Sequence, residues 1–277
     1  MNFAERVANW ADTERSVRAL VLIGSRVRSE SDTLSRADAA SDWDFHIITS
    51  NPSLFANAKW TNGLGVPLRI YAPRVANIGR VLKAAALFVG AEADFVVLPS
   101  RSLKLAKMAV ALGLHRKSPA IRRRLQDLAV IVRPGWRFLK GAERWESFYR
   151  RVVSEIADQR LNDPEVRGLA SGFVCDASWV LRKIERGEFL AAQRMIHCSL
   201  AEINFRLLHE LKLRRGERTF PEGRRTELTS TTEELLAVSI NATPEGLSLR
   251  ESLTAASATC RKLTRLIVGD TWSWPEL

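Results

Sequence analysis

The chain has 277 residues, of which 46% are hydrophobic, and it carries a formal net charge of +11. This length and apolar content are those of a globular protein with one large domain or two ordinary ones. The best apolar run, Ala84 to Val89, is short and is flanked by Lys83 and Glu92. Since a membrane-spanning helix needs a far longer apolar run, no run in the sequence is long enough to cross a membrane, and we expect no membrane partner.

The N-terminal sequence and the cysteines bear on the cellular compartment. Met1 to Arg6 lacks the pattern of a signal peptide. The three cysteines, Cys175, Cys198 and Cys260, are far apart, odd in number and without the spacing of a metal site. We therefore expect reduced thiols in the core of a cytoplasmic protein.

The positive charge is unevenly distributed along the chain. Residues 1–100 hold 11 Lys/Arg and 10 Asp/Glu, whereas residues 101–277 hold 31 and 21. A basic half can indicate a nucleic acid, an acidic acceptor or nucleotide phosphates as partners. Scattered charge of this kind is more often a solvated helical surface.

Apolar spacing and turn residues predict a mixture of strands and helices in the first hundred residues. In chain order these are a helix Asn2–Ala11, a strand Ala19–Ile23, a polar loop Arg28–Ala40, a strand Asp42–Thr49, a short helix Ser53–Ala58, a strand Pro67–Tyr71, a helix Asn77–Leu87 and a strand that begins near Asp94.

The first two strands carry residues with chemical potential. Asp42 and Asp44 lie two apart on the second strand, so their carboxylates point to the same side. Two adjacent carboxylates repel each other, and Mg²⁺ removes that repulsion because it prefers carboxylate oxygens together with substrate phosphates. Gly24 and Ser25 end the first strand and suit the close approach of a phosphate.

Further candidates stand near this motif. Asp94 precedes a third apolar run and would complete a metal triad or accept the proton of an attacking hydroxyl, and Glu92 shares its face as a rival for that role. Arg26 and Arg28 follow the Gly24-Ser25 turn, and either is a candidate to reach a triphosphate, although exposed arginines are usually only solvated. A phosphate grip facing a carboxylate pair is what two-metal nucleotidyl transfer needs.

From Ser102 onward the strand signal fades and helices are predicted. Their ranges are Leu103–Leu112, Pro119–Val132, a helix through Ala157, Gly172–Ile184, Glu188–Leu213 and Leu247–Val268. The aromatic-rich stretch from Trp136 to Tyr149 is expected to be core rather than a base-stacking surface. We therefore expect an α+β protein, with a mixed-sheet domain over residues 1–115 and an all-α helical bundle over residues 116–277.

The motifs resemble those of the DNA polymerase β-like nucleotidyltransferase superfamily. The residues that carry the resemblance are Val21-Leu22-Ile23-Gly24-Ser25-Arg26, Ser41-Asp42-Trp43-Asp44-Phe45 and Ala93-Asp94-Phe95-Val96-Val97-Leu98-Pro99. Within the superfamily the chain is most similar to the aminoglycoside 6-adenylyltransferase group, which modifies streptomycin. The likeness covers most of the chain, although the motif pair is specific only for the superfamily.

The resemblance implies a function and roles for residues. It implies transfer of AMP from ATP to a hydroxyl of a small-molecule acceptor, with two Mg²⁺ ions held by Asp42, Asp44 and Asp94. It also implies that Arg206 and Arg224, from the helical half, bind the triphosphate together with Gly24, Ser25 and Arg26. Arginine stands at 224 where the group usually has lysine, and the alternative for both residues is a charged helix C-terminus and loop.

Two other classes of function stay open. One is a nucleotidyltransferase that modifies RNA or a protein partner, as in a toxin–antitoxin pair. The other is a non-catalytic nucleotide-binding protein that keeps the fold. An aminoglycoside acceptor is a polycation and would need acidic residues around it, whereas the helical half is basic. Glu155, Asp158, Glu185 and Glu188 are the acidic candidates there.

Overall fold

The computed structural model describes residues 1–28, 31–32, 34, 37–76, 79–220 and 223–275. The chain divides into two compact units, a first unit of Met1–Gln159 and a second unit of Arg160–Leu277. Within the described ranges, no helix combines the length and the apolar character that crossing a bilayer requires.

The first unit is built on a six-stranded mixed sheet. Its strands are β1 (Val17–Ile23), β2 (Trp43–Thr49), β3 (Leu68–Val75), β4 (Leu82–Phe88), β5 (Ala91–Pro99) and β6 (Trp136–Lys140). The strand order is β3-β4-β5-β2-β1-β6, in which β2 and β5 are parallel and the other neighbours are antiparallel. The mixed sheet confirms the predicted α+β class.

Helices cover both faces of this sheet. The helices of the unit are α1 (Phe3–Thr13), α2 (Ser100–Ala111), α3 (Leu114–Lys117), α4 (Pro119–Val132) and α5 (Ala142–Glu155). Three short 3₁₀ helices span Gly24–Val27, Pro52–Ala56 and Ala58–Leu64. One core lies between α1 and the sheet, and a second lies between the sheet and helices α2, α4 and α5. Because both its faces are covered, β1 is almost continuously apolar.

Two segments differ from the sequence-based expectation. The helix predicted over Asn77–Leu87 is wrong where the structure describes it, since Leu82–Phe88 forms β4; Asn77 and Ile78 lie outside the described residues. The alanines of this segment favour a helix in isolation, but pairing with β3 and β5 buries alternate side chains and decides for a strand. The strand β6, in the half expected to be all-α, is the other difference.

The strand β6 also bears on where the chain divides. It pairs antiparallel with β1, and α5, which follows it, buries Trp145, Phe148 and Tyr149 in the core on that side of the sheet. Both elements therefore belong to the first unit, which extends to Gln159, whereas the sequence analysis placed the domain boundary between residues 115 and 116. The expectation that these aromatic residues are core is confirmed.

The second unit is helical throughout its described elements. They are α6 (Asp163–Glu185), α7 (Phe189–Met195), a π-helical turn (Ile196–Leu200), α8 (Ala201–Arg214), α9 (Thr226–Thr229), α10 (Thr232–Val238), α11 (Gly246–Val268) and a 3₁₀ turn (Gly269–Thr271). Asn162 caps α6 through a reciprocal capping box with Glu165, which explains why that helix begins there. The core of the unit lies mainly between α6, α8 and α11.

The cysteines only partly match the expectation of core thiols. Cys260 is buried in α11, and burial raises the pKa of its thiol to about 12. Cys175 and Cys198 are exposed, because they stand on outward positions of α6 and the π-helical turn. All three are unpaired thiols.

Candidate active site

The site begins where β1 ends, at Gly24. Its φ of +77° lies in the left-handed region, which favours glycine. A β-carbon built at this position would lie 2.3 Å from Asp44 Oδ2, so a side chain here would collide with the carboxylate. Glycine is therefore required at this position for two reasons: the backbone conformation and the close approach of Asp44. Directly after it, the chain turns into the short 3₁₀ helix that contains Ser25.

Three carboxylates come together beside this glycine. In the sheet, Asp44 of β2 lies opposite Ile23 of β1 on one side and in register with Asp94 of β5 on the other. Residues in register on neighbouring strands project to the same side, and Asp42 shares that side because it precedes Asp44 by two. One carboxylate oxygen from each of Asp42, Asp44 and Asp94 lies within 4.8 Å of the others.

The cluster is partly enclosed rather than fully exposed. All three aspartates are of intermediate burial, and the side chain of Asp94 is 17% exposed. Glu92, the alternative to Asp94, is exposed and lies outside the cluster. Three carboxylates this close repel one another unless a cation lies among them. Their oxygen donors and their spacing fit Mg²⁺, which Asp42, Asp44 and Asp94 would hold.

Arg26 shapes the segment that leads into β2. Its Nε donates to the carbonyl oxygen of Asp42 at 2.9 Å, and its Nη2 donates to the carbonyl oxygen of Ser41. Its guanidinium also lies over the Trp43 ring, 4.1 Å from the centroid. Two of its donor atoms are therefore engaged by the backbone that presents Asp42, and this is a positioning contact that the sequence analysis did not anticipate.

Lys83 is a residue of the site that the sequence analysis missed. Its ammonium forms a salt bridge with Asp94 Oδ2, and its side chain is 26% exposed. In β4 it lies opposite Val96, two residues from Asp94 and on the same face of the sheet. The sequence did not reveal this contact, because the alanines around Lys83 favour a helix. Only a strand would place alternate residues such as Lys83 on the same face of the sheet as Asp94.

A buried polar pair lies further along the same face of β2. His46 Nδ1 is 3.1 Å from the Tyr149 hydroxyl of α5, and both side chains are buried. Burial lowers the pKa of His46 to about 4 and raises the pKa of Tyr149. The imidazole is thus neutral at physiological pH, and the pair holds α5 against the strand that carries Asp44.

The two arginines expected at the triphosphate belong to the second unit. Arg206 is exposed on α8, and Arg224 is exposed in the turn that follows Gly223. Gly223 has a φ of +68°, and a β-carbon there would lie 3.3 Å from the ring of Phe205, so the turn packs on α8 next to Arg206. Their role at a triphosphate stays a prediction.

No family model matches the sequence, and no curated protein is a significant match to it. Among solved structures, an aminoglycoside 6-adenyltransferase from Bacillus subtilis is similar, with 14% identity and a TM-score of 0.42 over 99% of this chain and 92% of the other. A nucleotidyltransferase-like protein from Exiguobacterium sibiricum matches at 11% identity and a TM-score of 0.37, over 95% of this chain and 73% of the other.

Both matched structures carry the names of nucleotidyltransferases. Because both TM-scores lie below 0.5 and both identities are low, these matches carry no argument about function.

Proposed function

We propose that this chain is a Mg²⁺-dependent nucleotidyltransferase that transfers AMP from ATP to a hydroxyl of a small-molecule acceptor and releases pyrophosphate. The observation that carries the proposal is the group of three carboxylates within 4.8 Å, presented by β2 and β5 beside a glycine that admits no side chain. Stability alone gives no reason to assemble three like charges there.

The metal fits the donor set of the site. Asp42 and Asp44 would hold two Mg²⁺ ions, and Asp94 would be either a third ligand or the base. When bound, Mg²⁺ supplies charge neutralisation for the phosphates and eases ionisation of the attacking hydroxyl. Lys83 balances part of the charge of Asp94 in the free protein.

The remaining residues bind and orient the substrates. Gly24 and Ser25 would place their backbone N–H groups on the β- and γ-phosphates. In the reaction, the acceptor oxygen forms a bond to the α-phosphorus while the bond to the bridging oxygen of the pyrophosphate breaks, and Asp94 as base takes the hydroxyl proton. Arg26 would keep Asp42 in place through its contacts with the backbone.

The acceptor in this proposal is a small molecule that carries a hydroxyl group. Resemblance of the motifs makes streptomycin the first acceptor to test. The acidic candidates named for a polycation are largely engaged, since Glu155 pairs with Arg151, Asp158 with Arg133 and Glu188 with Lys183. This observation favours a less cationic small molecule with a free hydroxyl, so the acceptor panel should include neutral alcohols as well.

Calorimetry with a non-hydrolysable ATP analogue tests the proposal, with and without Mg²⁺ and with and without streptomycin. We expect binding that requires Mg²⁺ and is lost in Asp44→Asn. Glu92→Gln is the matched control, because it removes a carboxylate of the same strand that lies outside the cluster. Tighter binding in the presence of streptomycin would support an aminoglycoside acceptor. Equal analogue binding by the wild type and Asp44→Asn would contradict the proposed site.

A further inference from the structure

Helix α2 of the first unit is apolar on two opposite sides. Its inner side buries Leu103 and Val110 against the sheet. Leu105, Met108 and the residue that ends the helix, Leu112, face outward, with exposed fractions of 66%, 57% and 69%. A helix that covers one core needs only one apolar side, so folding of the first unit does not account for the outer row.

The spacing of the outer row indicates what would cover it. Residues 105, 108 and 112 follow intervals of three and four, which is the a/d spacing of a helix that packs on another helix. At 100° per residue the three side chains span only about 60° of the helix surface. Helices that lie in a bilayer interface present a wider apolar face and usually include aromatic side chains, so the narrow row favours a helix as the partner.

The charge around the row indicates the chemistry of the partner. Between Asp94 and Asp127 the chain contains no acidic residue, whereas it contains eight lysines and arginines. Two of these, Arg101 and Lys104, are exposed on α2 itself. Arg116 of the adjacent α3 has a side chain that is 73% exposed, although it also pairs with Glu155 at 3.6 Å. A partner that covers the row would therefore encounter a strongly positive margin and would gain by carrying acidic residues.

The same observations argue against other occupants. A second copy of this chain would bring an equally basic face, and like charges would repel. Nucleic acid bases are bound by stacking on aromatic rings, and no aromatic residue occurs between Phe95 and Trp136. Aliphatic side chains exposed in a row suit an apolar helix seam better than a phosphate backbone.

We propose that the outer face of α2 is a docking site for an acidic amphipathic helix of a protein partner, with Leu105, Met108 and Leu112 as the apolar seam and Arg101 and Lys104 as the charged margin. This site lies outside the carboxylate cluster and does not depend on the nucleotidyl-transfer proposal. A partner docked here would leave Gly24 and the three aspartates as they are.

A pair of synthetic peptides tests the docking site on the full chain. Both contain about three heptads with leucine at a and d, and they differ only in carrying glutamate or lysine at e and g. Fluorescence anisotropy of the labelled peptides should show binding of the acidic peptide, at least about tenfold tighter than that of the lysine peptide and weakened by salt.

Variants of exposed residues make the test specific. The triple variant Leu105→Gln/Met108→Gln/Leu112→Gln should lose binding of the acidic peptide, and it should fold because glutamine is nearly as good a helix former as leucine. Leu190→Gln and Leu247→Gln, both at positions that are 72% exposed in the second unit, are the matched controls and should bind normally. The double variant Arg101→Glu/Lys104→Glu should prefer the lysine peptide.

Several results would overturn the proposal. Failure of the acidic peptide to bind, equal binding of the two peptides, or unchanged binding by the triple variant would each do so. If sedimentation showed a dimer that the triple variant abolishes and the control variants do not, the outer face of α2 would be assigned to contact with a second copy of the chain. Sedimentation with phosphatidylglycerol vesicles that the triple variant abolishes, without binding of the acidic peptide, would assign it to a bilayer.

Discussion

The two units of the molecule differ in how they place carboxylates away from solvent. In the second unit, several hydrogen-bond donors surround the single carboxylate of Glu210 in α8. It accepts hydrogen bonds from Arg160, from Arg214 and from the backbone N–H of Leu161. In the first unit, one oxygen from each of three aspartates lies within 4.8 Å of the others, and Lys83 forms a salt bridge with Asp94.

The difference separates a structural use of charge from a functional one. A carboxylate that serves stability is surrounded by donors, so its burial costs little. Carboxylates that are gathered together raise the free energy of the folded protein until a cation binds, and part of the binding energy of that cation is then relief of repulsion.

Asp44→Asn should break the first arrangement. We expect nucleotide transfer to fall by about a thousandfold or more, since the variant removes a ligand that the metal needs. Mg²⁺ should raise the melting temperature of the wild type much more than that of the variant.

Gly24→Ala should act on the same site by a different route. The added methyl group would lie 2.3 Å from Asp44 Oδ2, and the backbone would be held at a positive φ that alanine disfavours. We expect loss of stability by about 1–3 kcal/mol and loss of transfer by about a hundredfold, measured by chemical unfolding and pyrophosphate release. Gly187→Ala, also at a positive φ but with open space around it, should lose stability without losing transfer.

Glu210→Gln should break the second arrangement. The side chain of Glu210 is 3% exposed, and the variant leaves Arg160 and Arg214 beside a neutral amide, so we expect a loss of about 3 kcal/mol in the free energy of unfolding. Glu233→Gln, which removes only an exposed pair with Lys262, should change stability by less than about 0.5 kcal/mol. Similar losses in the two variants would mean that Glu210 has no special structural role.

Ionisation of Glu210 should also make the stability of the protein depend on pH. Burial opposes ionisation of Glu210, but hydrogen bonds from Arg160, Leu161 and Arg214 outweigh it and hold the pKa of the folded protein below the ordinary 4.5. The ionised form therefore stabilises the fold fully above pH 4.5, and this contribution is lost as the pH falls through the lower folded-state pKa. In urea unfolding across that range, the wild type should lose more stability than Glu210→Gln.

The sequence alone predicted much of the carboxylate cluster of the first unit, but little of the structure around that cluster. Local periodicity sufficed for β1, Gly24 and the same-side placement of Asp42 and Asp44, because a strand fixes side-chain direction every two residues. The register that aligns Asp44 with Asp94 depends on pairing between strands far apart in the chain. Half-buried β6 is only five residues long, so it presents too little alternation for its pattern to be read.

Because the alanine-rich β4 was predicted as a helix, Lys83 was not recognised as a residue of the site. The smallest of the expected effects concerns the salt bridge between Lys83 and Asp94. If Lys83 is a resident counter-charge of Asp94, then Lys83→Met should strengthen Mg²⁺ binding several-fold, since the ammonium no longer competes for the carboxylate. It should also lower the melting temperature of the metal-free protein slightly, as expected for one partly exposed pair. Calorimetric titration of Mg²⁺ into both proteins measures the first effect, with Lys59→Met, at an exposed position of the 3₁₀ helix Ala58–Leu64, as the control. Weaker Mg²⁺ binding in Lys83→Met would instead show that the lysine positions the carboxylates for the metal and does not compete with the metal for Asp94.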